Sequence, residues 1–414
     1  MHEDPYRQVA RSGLAPLVHD VPPGPDWDDL EVPAPTRQRR RPAGWLIAVG
    51  AAVLVLVLGV PAALWVDRAS DPVVAPVRPE GPAMSETPVL AEATDSFVYL
   101  STDNRLTVVD IDSAEATVHR VPELAPGDPL YRLIRRGDRL VFYGQTETGP
   151  AAFAVEANTP TEPGLIGEAW FFIPGATDDT IWLALLEESS PDTVRALASI
   201  REVTVDGTVV TGDVVPPDGR WPTAAVDAGL LFQGDEELEL WDPHIGRFID
   251  SVPGPFPVAT WRNRMVTCQQ CGELHLIDLD AGTDRVVELP PGVATVSGYG
   301  GTFSDDGRYA AVIGYDTEGP ISPLSAISVV LIDFDTATAA TVPGIGTEAS
   351  DVVSSDPGNR YPQLAWNTDG TWLFFSVGSL NAENGQLFAY RPGDDTAFTV
   401  PIALDGKYYG MAAR

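Results

Sequence analysis

Hydrophobic and polar positions follow one repeating arrangement along most of this chain. An apolar run ends on an acid, a polar turn follows, and a second strand closes on an apolar residue and proline. Asp110 and Asp333 occupy the same position in this repeat, and the spacing between them gives about 45 residues per unit, as in four-stranded propeller blades. The seven copies lie at 106–122, 151–167, 200–216, 238–253, 273–290, 329–343 and 386–401.

A second element precedes several of these hairpins, in which Asp-Gly separates two apolar runs. Examples are Asp306-Gly307 and Asp369-Gly370. Asp-Gly between apolar runs is a strong hairpin signal, because glycine accepts a positive φ angle. The two hairpins together supply strands A, B, C and D of one blade. The sequence therefore predicts an all-β fold over residues 95–414, a seven-bladed β-propeller with four-stranded blades.

The two ends of the repeat region are complementary. Residues 95–100 match strand B, so the first repeat lacks a strand A of its own. Residues 406–413 form a strand that no strand B follows. We therefore expect this C-terminal strand to pair with the first repeat and to close blade 1, because closure removes exposed sheet edges.

An uncharged apolar run at residues 44–66 predicts one transmembrane α-helix ahead of the propeller. A helix from Trp45 to Val66 spans roughly 33 Å, enough for a hydrocarbon core of roughly 30 Å. Four arginines within residues 37–41 precede the run, and the positive-inside rule then places the N-terminus in the cytoplasm. The alternative is a cleaved signal peptide, although no clear cleavage site follows. We expect a single-pass plasma-membrane protein with most of the chain outside the cytoplasm.

The segments on either side of this run differ in composition from the propeller. Residues 1–43 are rich in Pro, Asp and Arg, which predicts a mostly disordered cytoplasmic tail. Trp27 and Leu30 stand among acids there and form a candidate docking motif, with an ordinary solvated tail as the alternative. Residues 67–94 are rich in proline and predict an extended extracytoplasmic linker.

Charge and motif content narrow the range of functions. The net charge is −33, and nearly all of the acidic excess lies beyond the apolar run. Such a surface repels nucleic acid, so we expect no nucleic-acid partner. The sequence contains no G-x-S-x-G, Walker or Rossmann motif, and we therefore assign no catalytic, cofactor or metal residue. The recurrent Asp-x-Asp turns lack the glycine and glutamate of a calcium loop, and we expect them to cap their own backbone.

Cys268 and Cys271 are the two cysteines of the chain, and they lie between a predicted strand B and strand C. Residues at these two positions of a tight hairpin face each other at disulfide distance. Outside the cytoplasm a disulfide is expected. A redox or metal-binding role is the alternative, although a thioredoxin-like βαβ context is missing.

The turn segments resemble known propeller repeats. Phe-Ser-Asp-Asp-Gly-Arg-Tyr at 303–309 and Trp-Asn-Thr-Asp-Gly-Thr-Trp at 366–372 resemble the repeats of TolB-type and related WD40-like propellers. Leu-Ile-Asp-Leu-Asp-Ala-Gly at 276–282 is similar to bacterial YVTN-type blades. The resemblance covers residues 95–414 and implies the fold, but propellers host many unrelated functions.

The predicted loops favour a binding function. In blades of this order the A–B and C–D connections share one face, and the B–C and D–A connections share the other. The long insertions at 145–150, 186–198, 315–328 and 378–386 are all B–C connections. Binding residues often lie on such loops, so we expect a protein or cell-envelope partner on this face, with tolerated insertions as the alternative. The function predicted is a binding, sensor or scaffold module.

A channel-site enzyme, such as a lactonase or lyase, is the alternative function. It requires inward-facing ionisable residues on the A strands, and four or more converging at the channel mouth would contradict a non-enzyme. The segments recognised as A strands, at 223–226, 257–261 and 364–367, are poor in such residues. We therefore expect no enzymatic activity, and we expect the tryptophans near the strands to be mostly core residues.

Overall fold

A computed structural model describes part of the chain in detail. Residues 1–83 and 84–414 form two compact units, and all described residues belong to the second. The predicted tail with Trp27 and Leu30, the predicted span at 44–66 and the predicted linker lie outside the described residues. The described ranges are 96–102, 105–121, 133–158, 160, 162–186, 197–269, 271–298, 300–317, 327–344, 363–377, 386–402 and 410–414.

Seven antiparallel sheets make up the described part, and each is one blade of the predicted propeller. From strand A to strand D, blade 1 consists of β29 (Gly410–Ala413), β1 (Phe97–Thr102), β2 (Arg105–Asp110) and β3 (Glu115–Arg120). Blade 2 consists of β4 (Ile134–Arg136), β5 (Arg139–Gln145), β6 (Pro150–Glu156) and β7 (Gly164–Glu168). Blade 3 consists of β8 (Phe171–Pro174), β9 (Thr180–Leu186), β10 (Leu197–Thr204) and β11 (Val209–Val214). Blade 4 consists of β12 (Pro222–Val226), β13 (Gly229–Gln233), β14 (Glu237–Asp242) and β15 (Arg247–Pro253). Blade 5 consists of β16 (Phe256–Trp261), β17 (Arg264–Cys268), β18 (Glu273–Asp278) and β19 (Thr283–Glu288). In blade 6, β20 (Thr295–Val296) and β21 (Thr302–Phe303) together take the place of strand A, followed by β22 (Tyr309–Tyr315), β23 (Ile327–Asp333) and β24 (Thr338–Thr341). Blade 7 consists of β25 (Gln363–Trp366), β26 (Leu373–Val377), β27 (Gln386–Tyr390) and β28 (Phe398–Val400).

The strand pairs C and D coincide with the seven predicted hairpins, so the predicted all-β, seven-bladed propeller with four-stranded blades is confirmed. In β14 consecutive residues are buried on opposite faces: Leu240 packs in the cluster shared with blade 5, and Trp241 packs in the cluster shared with blade 3. The D strands are mostly exposed, as in β3, because each is the outer edge of its blade. A 3-10 helix at Pro217–Gly219 joins blades 3 and 4.

The predicted ring closure is confirmed. Strand β29 pairs with β1, with Val98 opposite Ala413. Beyond the strand ends, Phe97 N donates to Arg414 O at 3.1 Å and Arg414 N donates to Phe97 O at 2.9 Å. The side chain of Met411 is buried. Blade 1 is therefore built from both ends of the propeller sequence.

The hydrophobic core lies between neighbouring blades. One cluster joins Val98 and Met411 of blade 1 to Phe374 and Leu387 of blade 7. Similar clusters fill the other inter-blade gaps, including the one between blades 5 and 6. Each blade therefore buries its two faces against its neighbours, and no blade has a core of its own.

The A strands form the inner wall of the propeller. Strand β29 contacts β4 on one side and β25 on the other, and β8, β12, β16, β21 and β25 contact one another in order. The A–B and C–D connections define one surface, the A–B face; the B–C and D–A connections define the opposite surface, the B–C face. The chain leads into β1 through Ser96, which lies on the A–B face.

Two details differ from the sequence expectations. The inner strand of blade 6 is split, because the glycine-rich residues 297–301 separate β20 from β21 and both pieces pair with β22. The connection between Gln145 and Pro150 is a short turn, closed by a hydrogen bond from Thr146 N to Gly149 O at 2.8 Å, so the prediction of a long insertion there is wrong.

Across the part of the chain with a described structure, no helix has the length and hydrophobicity that a membrane crossing needs.

Candidate functional site

Arg135 of β4 reaches from the inner strand of blade 2 to two other blades. Its Nη2 donates to Asp305 Oδ2 at 2.6 Å, and its Nη1 donates to Thr368 Oγ1. Asp305 lies in the A–B turn of blade 6, and Thr368 lies in the A–B turn of blade 7. The Arg135 side chain is 13% exposed and that of Asp305 is 47% exposed. One side chain therefore links three blades at the A–B mouth of the channel.

Arg136 points to the other side of the same strand. Its Nη2 donates to the carbonyl oxygen of Gly175 in the A–B turn of blade 3. Its Nε is buried and has no acceptor among the described residues. Burial lowers the pKa of Arg136 to about 10, although the carboxylates of Asp178 and Asp305 act in the opposite direction. The guanidinium is therefore still charged at neutral pH.

Ionisable groups converge at this mouth. Asp305 is influenced by Arg135, Arg136 and Asp178, and Arg136 is influenced by Asp179 as well. Within the described residues, an ion pair joins only Arg135 and Asp305 of this group, so the expectation of no enzymatic activity stays a prediction. The expectation that the inner strands are poor in such residues overlooked β4, which is only three residues long. The signal in the sequence is Gly137-Asp138 ahead of an apolar run, which marks an A–B turn.

The chemistry available at this mouth is that of a carboxyl group beside a guanidinium. Burial raises the pKa of Asp305, while the charge and the hydrogen bond of Arg135 lower it. A carboxyl group with a raised pKa can transfer a proton, and an arginine can stabilise a developing oxyanion. In the structure, however, Arg135 and Asp305 are bonded to each other, and a substrate would have to separate them.

Asp305→Asn is expected to change the pH dependence of stability. Because the pKa of Asp305 is raised in the folded state, that state binds more protons than the unfolded chain. The contribution of this group to stability therefore falls as pH rises from its ordinary value of 3.8 through its folded value. Thermal melts of the parent and variant between pH 4 and 7 should show the parent losing stability relative to the variant. Glu115→Gln on β3 is the control, and a relative gain by the parent would contradict the assignment.

Further hydrogen bonds join neighbouring blades across the A–B face. Arg264 Nη1 donates to Gly307 O at 3.1 Å, and Arg285 Nη1 donates to Asp335 O at 3.0 Å. Arg264 Nε also pairs with Asp278 Oδ2 at 3.1 Å. Many polar groups of this face are therefore already used by contacts between blades 5 and 6.

The recurrent acids of the C–D turns cap their own backbone, as predicted. Asp110 Oδ1 accepts from Asp112 N at 2.9 Å and from Ser113 N at 3.2 Å. Asp333 Oδ1 accepts from Asp335 N at 2.9 Å. Over the described ranges, no three His, Cys, Asp or Glu side chains are grouped so that they could hold a metal ion.

The longest connections of the propeller leave the B–C face. Residues 121–133, 187–196, 316–326 and 342–362 separate consecutive strands there, whereas the longest on the A–B face are 157–163 and 391–397. Three of the predicted long loops, at 186–198, 315–328 and 378–386, lie largely outside the described residues.

Cys268 and Cys271 form a disulfide in the B–C turn of blade 5, with their Cα atoms 4.6 Å apart. The carbonyl oxygen of Cys271 accepts from Val296 N at 2.9 Å and from Thr295 Oγ1 at 3.0 Å. Both donors belong to the inner strand of blade 6. The disulfide turn therefore takes part in the contact between two blades.

Of the seven tryptophans in the described residues, two lie on the surface, Trp261 is half-buried and four are buried. Trp170 is 40% exposed and Trp221 is 38% exposed, and both lie in D–A connections. Sequence reasoning grouped them with the core tryptophans, since every one lies near a strand. The buried members of the set are Trp182, Trp241, Trp366 and Trp372.

Similar solved structures share little sequence with this chain. A Bacteroides fragilis protein provisionally assigned as a 6-phosphogluconolactonase is 12% identical, covers 78% of this chain and 99% of its own, and has a TM-score of 0.44. Kluyveromyces lactis Hsv2 is 11% identical, covers 73% of this chain and 93% of its own, and has a TM-score of 0.40. Hydrazine synthase of Kuenenia stuttgartiensis is 13% identical, covers 63% of this chain and 76% of its own, and has a TM-score of 0.41. No family profile matches the chain, and neither does any curated protein.

Proposed function

We propose that this protein is a single-pass membrane protein whose extracytoplasmic propeller binds a protein, peptide or envelope ligand through its B–C face. In this role it is a sensor or a scaffold. The observation that carries the proposal is the difference between the two faces, because the longest connections all leave the B–C face. Loops on a rigid scaffold are where binding residues concentrate.

The A–B face is less suited to a partner. Its arginines are engaged with neighbouring turns, as in the bonds of Arg135 to Asp305 and of Arg264 to Gly307. The chain also leads into β1 through Ser96 on this face. The linker predicted at residues 67–94 therefore joins the propeller there, and the B–C face is the one without this attachment.

The membrane part of the proposal rests on the sequence. The apolar run at 44–66 has the length of a span, and arginines precede it. The positive-inside rule then favours an extracytoplasmic propeller. A disulfide between Cys268 and Cys271 agrees with an oxidising compartment.

Site-specific photocrosslinking in intact cells tests the binding face. A photoreactive amino acid is placed at Gln145 or Gln269, which are exposed on the B–C face, and at His244 or Ala281, which are exposed on the A–B face. We expect the same partner to be captured from the two B–C positions and not from the two A–B positions. Equal capture from both faces, or capture from the A–B face alone, would reject this proposal.

A channel-site enzyme of the lactonase or lyase type is the second candidate function. The ion pair of Arg135 and Asp305 at the A–B mouth, 2.6 Å from Nη2 to Oδ2, favours it. It requires a substrate that separates Arg135 from Asp305 and takes a proton from, or gives one to, the carboxyl group. The Asp305→Asn protein described above is the inactive control for any turnover measured on a panel of lactones or glycans.

A further inference from the structure

An aromatic patch lies at the B–C mouth of the channel, between blades 3 and 4. The rings of Phe171 and Trp221 stack with their centroids 5.0 Å apart and their planes inclined by 28°. Both residues stand at the start of an inner strand, β8 and β12, and Trp170 directly precedes Phe171. Trp170 and Trp221 each keep more than a third of their surface exposed. Large exposed aromatics placed together mark interaction sites more often than isolated ones.

The neighbouring residues Arg220 and Trp221 point to different blades. Arg220 folds back onto blade 4, where Nη2 donates to Gln233 O at 2.6 Å and Nη1 pairs with Glu239. Its guanidinium carbon lies 5.6 Å from the centroid of Phe232 and 5.5 Å from that of Phe248. Arg220 is thus turned towards blade 4, whereas Trp221 stacks on Phe171 of blade 3 and stays 38% exposed.

The rim of the patch is acidic. Exposed carboxylates follow the B–C face in blades 2 to 4, on turns and strand ends of the blades that carry or flank the patch. In those turns and strand ends, as far as the structure describes them, Arg220 is the one cation, and Glu239 neutralises it. The acids are Glu147, Glu168, Asp235, Glu236 and Glu237.

We propose that this patch, formed by Trp170, Phe171 and Trp221, binds a cationic peptide segment of a partner protein. Arginine or lysine side chains of the ligand stack on the exposed indoles, since tryptophan is the aromatic that binds cations best. The acidic rim attracts the remaining positive charges, and the chain as a whole, with a net charge of −33, repels anionic ligands. The inference rests on the proposed function and adds the chemistry of the partner to it.

Binding of a defined peptide tests the inference. The probe is a fluorescein-labelled octapeptide of alternating arginine and proline, and fluorescence anisotropy measures its Kd for the full chain in neutral detergent. The matched probe carries citrulline in place of arginine and so keeps the shape without the charge. We expect the arginine peptide to bind at least tenfold more tightly, and Trp221→Ala to weaken its binding about tenfold.

A second variant keeps the test independent of packing around Trp221. Glu168→Gln removes one rim charge at an exposed position, and we expect a Kd about two- to threefold weaker at low salt and little change at high salt. The control variants are Val286→Ala, an exposed apolar residue of blade 5, and Glu115→Gln on β3. Neither should change the Kd.

Several results would overturn the inference. One is equal binding of the arginine and citrulline peptides; another is a Kd that neither Trp221→Ala nor Glu168→Gln changes. Tighter, Trp221-dependent binding of neutral chitotetraose would assign the patch to carbohydrate instead. The crosslinking experiment distinguishes a failure of this inference from a failure of the proposed function. If Gln145 and Gln269 still capture the partner in cells that carry Trp221→Ala, the B–C face remains the binding face and only the patch is rejected.

Discussion

Deletion of residues 410–414 is expected to destabilise the whole propeller by about 4–6 kcal/mol, a large part of the roughly 5–15 kcal/mol of an ordinary domain. The deletion removes β29, the inner strand of blade 1, and the bonds between Phe97 and Arg414. It also removes the buried side chain of Met411, which alone contributes about 1.5–3 kcal/mol. Strand β1 then becomes an open edge.

Urea denaturation followed by circular dichroism measures this loss, and size-exclusion chromatography detects association through the open edge. Arg414→Ala is the matched control, because it keeps the backbone bonds to Phe97 and removes only the side chain. We expect the control to lose less than about 1 kcal/mol, as most surface substitutions do. A deletion no more harmful than Arg414→Ala would show that β29 does not close the propeller in solution.

Gly307→Ala is expected to cost about 2–5 kcal/mol, more than most single substitutions. Gly307 has a φ of +68°, and a Cβ atom there would lie 2.3 Å from the aromatic ring of Trp261 in blade 5. The left-handed backbone costs a non-glycine residue about 1–2 kcal/mol, and the clash adds the cost of overpacking, about 1–3 kcal/mol. Trp261 has little freedom to move, because the guanidiniums of Arg262 and Arg264 lie over it.

Gly282→Ala separates the two contributions. Gly282 has a φ of +62°, but no atom lies within 4 Å of a Cβ placed there. The free energy of unfolding of this control should therefore fall only by the cost of the left-handed backbone, about 1–2 kcal/mol. Urea denaturation of both variants gives the comparison. If the two substitutions cost the same, the close packing between blades 5 and 6 at Gly307 is not present in solution.

The sequence predicts the blades well because each blade repeats a local pattern. The turn beginning at Asp110 and the turn beginning at Asp333 use the same acid to cap the same backbone donors. The closing strand at 406–413 could be predicted by elimination, since a propeller cannot leave one A strand missing. Both inferences need only the order of strands along the chain.

The candidate sites were harder to predict because they depend on contacts between distant residues. The bond between Arg135 and Asp305 joins blade 2 to blade 6, and nothing in the sequence around either residue indicates the other. Phe171 and Trp221 likewise stack only because β8 and β12 are neighbours in the propeller. Residue type alone made Trp221 a core residue, whereas its place at the start of an inner strand, next to the channel mouth, exposes it.

The position of β1 has a mechanical consequence. The chain reaches β1 from the A–B face through Ser96, and β1 is paired with β29 on one side and with β2 on the other. A force applied to Ser96 along the axis of β1 would load both rows of hydrogen bonds in shear at once. Bonds loaded together resist more tension than bonds opened one after another. The blade that closes the propeller is thus also the one that would carry a pull on the chain that precedes Ser96.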